Sequence, residues 1–140
     1  MVTITLKGRE IPLEYTTLEM LAIQEATGKR VPEVIDCLGN RNEDGKSDID
    51  HIGTAEHLAM IGKVVTILGN SGLKSIGENP DLTEEMVLRS IKPTGLDIQN
   101  TANACLNAMA EGMKSEIQEQ DDGPVDVILE EMNRKKGRAS

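Results

Sequence analysis

The feature that most constrains this chain is its opening stretch, which reads in order as strand, turn, strand, capped helix and stop. Val2, Ile4 and Leu6 alternate with Thr3 and Thr5, the period-two pattern of a half-buried strand. Lys7-Gly8-Arg9 supplies a short turn in which glycine can take positive φ. Glu10 to Tyr15 reads as the return strand, and Pro12, which has no N–H to give a ladder, argues for an edge position. Thr16 and Glu19 form a T-x-x-E capping box before an apolar run. That predicts a helix from Thr17 to Thr27 with Leu18, Leu21 and Ala22 on one face, stopped by Gly28. A lone hairpin is marginal in water, so this one must pack on helices or pair with another strand.

The remainder reads as helical. Pro32 sits at a plausible first-turn position, and Val34, Ile35 and Leu38 form a short helix ending at Gly39. NRNEDGKS, from Asn40 to Ser47, is a polar loop. A long helix begins between Asp48 and Thr54 and runs to about Leu68. Leu58, Ile61, Val65 and Leu68 make one apolar stripe, and Met60, Val64 and Ile67 another, which predicts a helix buried between others. Gly62 offers a close crossing, and Gly69-Asn70-Ser71-Gly72 is expected to break or bend the helix. Thr83-Glu84-Glu85 caps a short helix ending near Ile91. After Pro93-Thr94-Gly95, a last long helix runs from Leu96 to about Gln120. Its apolar face is Ala102, Cys105, Leu106, Met109, Met113 and Ile117, and its polar face is Asn100, Asn103, Asn107 and Glu111.

Asp121-Asp122-Gly123-Pro124 reads as a linker. Val125, Ile128, Leu129 and Met132 then recur at i, i+3, i+4 and i+7, a compact amphipathic helix ending in the basic tail Arg134-Lys135-Lys136-Gly137-Arg138. This helix can dock on the parent core, or act as a hinged arm seeking a partner's groove. The expected fold is α+β and mostly helical: an N-terminal β-hairpin packed on a bundle of about five helices over residues 1–120, with linker, amphipathic helix and tail over 121–140. A chain of 140 residues suits one such domain.

Composition narrows the function. With 24 acidic against 15 basic residues, the net charge is −9, which repels phosphate backbones and argues against nucleic acid. Tyr15 is the only aromatic, so no stacking platform exists for single strands, and aliphatic residues must fill the core. Cys37 and Cys105 belong to no C-x-x-C motif and read as small core residues. No apolar run approaches the roughly 20 residues needed to cross a bilayer, and MVTITLKGRE has no signal-peptide h-region. The expected location is the cytoplasm.

The catalytic and ion-binding motifs are near misses. GNRNEDGKS, from Gly39 to Ser47, resembles a phosphate-binding loop but has one residue too many between its glycines, no strand feeding it, and Glu43 and Asp44 where a phosphate would lie. Asn40, Asn42, Asp44, Gly45 and Asp48 fall at the first, third, fifth, sixth and ninth positions of a calcium loop. His51, however, stands at the twelfth, where a bidentate Glu is required, and Ser47 replaces the apolar eighth residue. His51 and His57 lack the i, i+4 spacing of paired ligands on one helix face and read as surface or helix-end residues. Ser71, in GNSGL, lacks the nucleophile-elbow spacing. The expectation is a non-enzyme with no catalytic, cofactor or metal site. Its partner-binding residues are expected to be Val125, Ile128, Leu129 and Met132.

The layout also resembles the tail assembly chaperones of long-tailed (siphovirus-like) bacteriophages and prophages, especially those of Gram-positive hosts. VTITLKGREIPLEYTTLEMLAIQEATG is similar to their hairpin and capped helix. EHLAMIGKVVTIL is similar to their buried helix. LTEEMVLRSIKPTGLDIQNTANACLNAMAEGM is similar to their short helix, break and long helix. The resemblance covers roughly the first 115 residues, compatible with a single domain. It implies a chaperone, absent from the finished virion, that binds the tape measure protein and keeps it soluble while tail tube protein polymerises around it. It implies no cofactor. Such genes often yield a longer product by programmed frameshifting, and Arg134-Lys135-Lys136 can be encoded as AGA-AAA-AAG, a slippery run. Self-association through the hairpin edge is a further expectation. The competing readings are a structural head–tail connector or minor tail protein and, less in keeping with the near misses, a small hydrolase or nucleotide-binding enzyme.

Overall fold

A computed structural model describes residues 1–42 and 44–119. The chain begins with strands β1 (Thr3–Leu6) and β2 (Arg9–Pro12), paired antiparallel with Ile4 opposite Ile11. Lys7 and Gly8 have φ of 49° and 79°, the positive pair demanded by a two-residue hairpin turn. Arg9 already belongs to β2, so the turn is one residue shorter than the sequence suggested. Leu6, Ile11 and Leu13 are buried, and Val2 and Ile4 pack partly against the core, as the alternation requires.

Helix α1 spans Thr17–Thr27, as the capping box predicted. Thr16 Oγ1 accepts from the Leu18 N–H, and Glu19 Oε1 accepts from the Thr16 N–H at 2.7 Å. Gly28, at φ 68°, ends the helix in the left-handed conformation. The expected apolar face is corrected: Leu18 and Leu21 are 69% and 52% exposed, while Ile23 and the capping Glu19 are buried. Burial of Ile23 turns the Leu18–Leu21 side outward, because residues spaced like 18 and 23 cannot share one narrow stripe.

Helix α2 (Val31–Leu38) buries Val34, Cys37 and Leu38. After the loop and a 3-10 turn at Ile49–His51, helix α3 (Ala55–Ser75) runs through the centre of the molecule. It touches β2, α1 and α2, together with α4 (Glu84–Ser90) and α5 (Gly95–Glu119). The expected break at residues 69–72 does not occur; the helix continues to Ser75. Gly69 and Gly72 serve close approach instead. A Cβ on Gly72 would lie 1.9 Å from the Pro12 carbonyl oxygen, and one on Gly69 would lie 2.6 Å from Leu82 Cδ1. Each interior glycine costs a helix about 1 kcal/mol relative to alanine, and here the intimate packing of β2 offsets it. At Gly62, as expected, a neighbouring helix crosses closely: a Cβ there would be 3.3 Å from Leu88 of α4.

Helix α5 buries Ile98, Ala102, Cys105, Ala108 and Met109, and leaves Asn100, Asn103, Asn107 and Glu111 exposed. Met113 is 45% exposed and leaves the expected apolar face; the side chain of Ile117 lies outside the described residues. The core is aliphatic. Ile11, Ile23, Leu38, Ile61, Leu68, Leu73, Val64 and Val65 are among its largest sealed side chains, with Met60 and Met109 as the buried methionines among the described residues. Branched residues with few rotamers therefore do most of the filling, which specifies shape better than a methionine-rich interior would. No described helix is long and apolar enough to cross a membrane.

Candidate functional site

Two kinds of surface stand out, one apolar and one polar. On α1, Leu18 and Leu21 project side by side one helical turn apart, each more than half exposed. A groove of about 260 Å³ runs between the hairpin tip and α4, floored by Leu6, Ile11, Leu82 and Met86, with Arg9 and Arg89 among its lining residues. That volume is small for a metabolite site, but its apolar floor suits the tip of an aliphatic side chain.

The hairpin's two edges differ. Leu13 N–H donates to Val2 O at 2.8 Å, so the hydrogen-bonded pairs fall at Val2, Ile4 and Leu6, and the backbone groups of Thr3 and Thr5 face outward. These groups have no backbone partner across that edge among the described residues. They border a cleft of about 350 Å³ shared with Ile91, Asp97 and Thr101. The outer edge of β2 is closed against α3: Pro12 abuts Gly72, and just beyond the strand Glu14 N–H donates to Leu68 O at 3.1 Å.

The polar surface lies where α2, the loop and the start of α3 converge. His57, in the first turn of α3, is fully buried. Its Nδ1 accepts from the Gly53 N–H at 3.1 Å and its Nε2 lies 3.3 Å from Leu38 O. An amide donor at one nitrogen and a carbonyl at the other fix a neutral imidazole protonated on Nε2. Burial lowers its pKa, the Leu38 carbonyl opposes that, and nearby His51 adds to the lowering. His57 is thus at a helix end, as expected, but is a sealed tie between loop and helix rather than a surface group.

His51 ends the 3-10 turn. Its Nδ1 is 3.0 Å from Asn40 Oδ1, and Asn40 Nδ2 donates to Gln99 on α5. Asn40 itself is buried and holds a left-handed φ of 57°. His51 Nε2 faces Glu56, 3.8 Å from Oε2, and Cys37 stands beside both. Burial, reinforced by the Glu56 charge and opposed by Lys29, pushes the Cys37 thiol up to about 11. Cys37 and Cys105 are buried free thiols, in keeping with their reading as core residues.

No family model, curated protein or solved structure matches the chain. Its function must therefore be argued from these surfaces. Val125, Ile128, Leu129 and Met132 lie outside the described residues. Two positions of the calcium-loop pattern are committed elsewhere: Asn40 Oδ1 faces His51, and Asn42 Oδ1 accepts from the Asp44 and Lys46 N–H groups at 3.0 and 3.1 Å. Arg41 and Ser47 are bridged across this loop. Sequence reasoning missed both Leu18–Leu21 as an exposed pair and the meeting of Cys37, His51 and Glu56. The first was hidden because a helix's apolar residues do not reveal which of them faces in. The second arises from three separate elements and carries no local spacing signal.

Proposed function

We propose that this chain is a tail assembly chaperone of a long-tailed bacteriophage or prophage, which binds the tape measure protein and keeps it soluble while the tail tube assembles. The observation that carries the reading is the exposed Leu18–Leu21 pair on a domain whose core is otherwise well sealed. Large aliphatic side chains displayed together suit the apolar face of a partner helix. The groove beside α4, lined by residues of the hairpin, Leu82 and α4 and none of α1, is a separate apolar surface, and the −9 net charge keeps a complex with an aggregation-prone chain in solution. The identity of the partner rests on the resemblance drawn from the sequence, and binding of this kind needs no nucleotide or catalytic group.

The test is co-expression with the long helical protein encoded downstream. The partner is expected in the soluble fraction with the full chain, and in the pellet alone or with Leu18→Ser/Leu21→Ser, a double change on exposed positions that leaves the core intact. A partner equally soluble without this chain defeats the proposal. Recovery of the chain from purified virions favours a connector or minor tail protein instead.

A further inference from the structure

Cys37 on α2, Glu56 in the first turn of α3 and His51 in the 3-10 turn each present one ligand atom, and these atoms lie within 4.8 Å of one another. We propose that they form a binding site for a divalent transition-metal ion of the zinc class, held by Cys37 Sγ, His51 Nε2 and a Glu56 carboxylate oxygen, with the remaining coordination open to water.

The imidazole is oriented for this role. Asn40 Oδ1 can only accept, so His51 Nδ1 carries the hydrogen of that 3.0 Å bond, and the neutral ring, the form that binds a metal, keeps its lone pair on Nε2. The Asn40 amide is itself held by Gln99, so a partly buried polar chain from α5 sets the neutral ring's tautomer and aims Nε2 at Cys37 and Glu56. Metal-bound histidines are supported in this way, the second ring nitrogen donating to an oxygen behind it.

The distances are close to what an ion would need. Zinc takes sulfur at about 2.3 Å and nitrogen or oxygen at about 2.0–2.2 Å, so tetrahedral ligand atoms sit roughly 3.3–3.6 Å apart. His51 Nε2 and Glu56 Oε2 are already 3.8 Å apart. Glu56 has room to adjust, with its side chain 60% exposed. Its contact with Lys29, 3.9 Å away and also partly exposed, is a weak surface pair that a cation would readily displace. Among the described residues lining the cleft at the cluster, the carboxylates are Glu33, Asp36, Asp48 and Glu56 and the cations are Lys29 and Arg41, a balance that favours a positive ion. One sulfur, one imidazole and one carboxylate suit zinc or cobalt(II) and do not suit calcium or magnesium, which prefer oxygen sets. On binding, the Sγ–H bond breaks, its proton passes to solvent, and the thiolate electron pair forms the bond to the metal. The ion would staple α2, the turn and α3 together, a role independent of partner binding.

The test uses the full chain, freed of metal by chelator and titrated with cobalt(II) alone and zinc(II) alone. One cobalt ion per chain is expected, with a thiolate-to-cobalt charge-transfer band and the intense visible bands of tetrahedral cobalt. Cys37→Ser should abolish the charge-transfer band, and Cys105→Ala should retain it. Glu56→Gln changes an exposed side chain without threatening the fold, and should weaken zinc binding about tenfold or more. No charge-transfer band at millimolar cobalt, a band surviving Cys37→Ser, or zinc affinity unaltered by Glu56→Gln would each overturn the site. Partner solubility in co-expression reads out separately, so loss of the metal site leaves the chaperone proposal standing.

Discussion

Replacing Gly72 by alanine tests the central packing of the fold. Gly72 lies inside α3, where helix propensity alone predicts stabilisation of about 1 kcal/mol. The new Cβ, however, would lie 1.9 Å from the Pro12 oxygen and 2.5 Å from its carbonyl carbon. Both atoms are backbone, so no side-chain rotation relieves the overlap. Reaching an ordinary separation means moving β2 by about 1.5 Å, which opens gaps around Ile11 and Leu13, both buried; gaps of even about 1 Å forfeit up to half of each dispersion contact. Overpacking of this severity costs about 3 kcal/mol, leaving a net loss of about 2 kcal/mol. Gly62→Ala is the matched control. It receives the same propensity gain, and its Cβ meets only the flexible end of Leu88 at 3.3 Å. Urea unfolding followed by far-ultraviolet circular dichroism should therefore place Gly72→Ala about 2 kcal/mol below the parent, with a melting temperature roughly 6–8 °C lower. Gly62→Ala should fall within about 1 kcal/mol of the parent. If Gly72→Ala proves as stable as Gly62→Ala, β2 does not rest on α3 as described and the reasoning fails.

Two further outcomes follow from single groups. Thr16→Ala removes the cap of α1 and should destabilise by about 1 kcal/mol, visible as a lower thermal midpoint; an unchanged midpoint would show that the Thr16–Glu19 box contributes nothing. Burial pushes the Cys105 thiol from 9.0 to about 12, so above pH 9 the unfolded chain loses a proton that the folded chain keeps. The stability this confers is whole below pH 9 and is lost as pH rises towards 12, with a slope near 1.4 kcal/mol per unit for one proton. Unfolding measured from pH 8 to 10 should show a shallower decline in Cys105→Ala than in the parent, and equal declines would contradict the assignment.

Much of the fold was legible because its signals are local. Threonine caps at Thr16 and Thr83, the left-handed stop at Gly28 and the alternation of Val2, Ile4 and Leu6 each act within one turn of chain, and each element formed where its signal lay. What the sequence could not reveal depends on neighbours distant along the chain. Gly69 and Gly72 read as breakers until Pro12 and Leu82 are placed against them. Leu18 and Leu21 read as core until Ile23 takes the inward position. The apolar surfaces proposed to bind a partner, and the cluster of Cys37, His51 and Glu56, exist only after α2 and α3 dock, which no spacing rule encodes.

The unequal edges of the hairpin set a valence. With β2 sealed against α3, a single strand edge, that of β1, has no backbone partner among the described residues. Strand pairing between two copies would use both available edges at once and leave none over. The sheet could therefore join two chains into a closed pair but could not propagate into a filament. For the proposed chaperone, that edge would be adhesive without letting its own sheet grow.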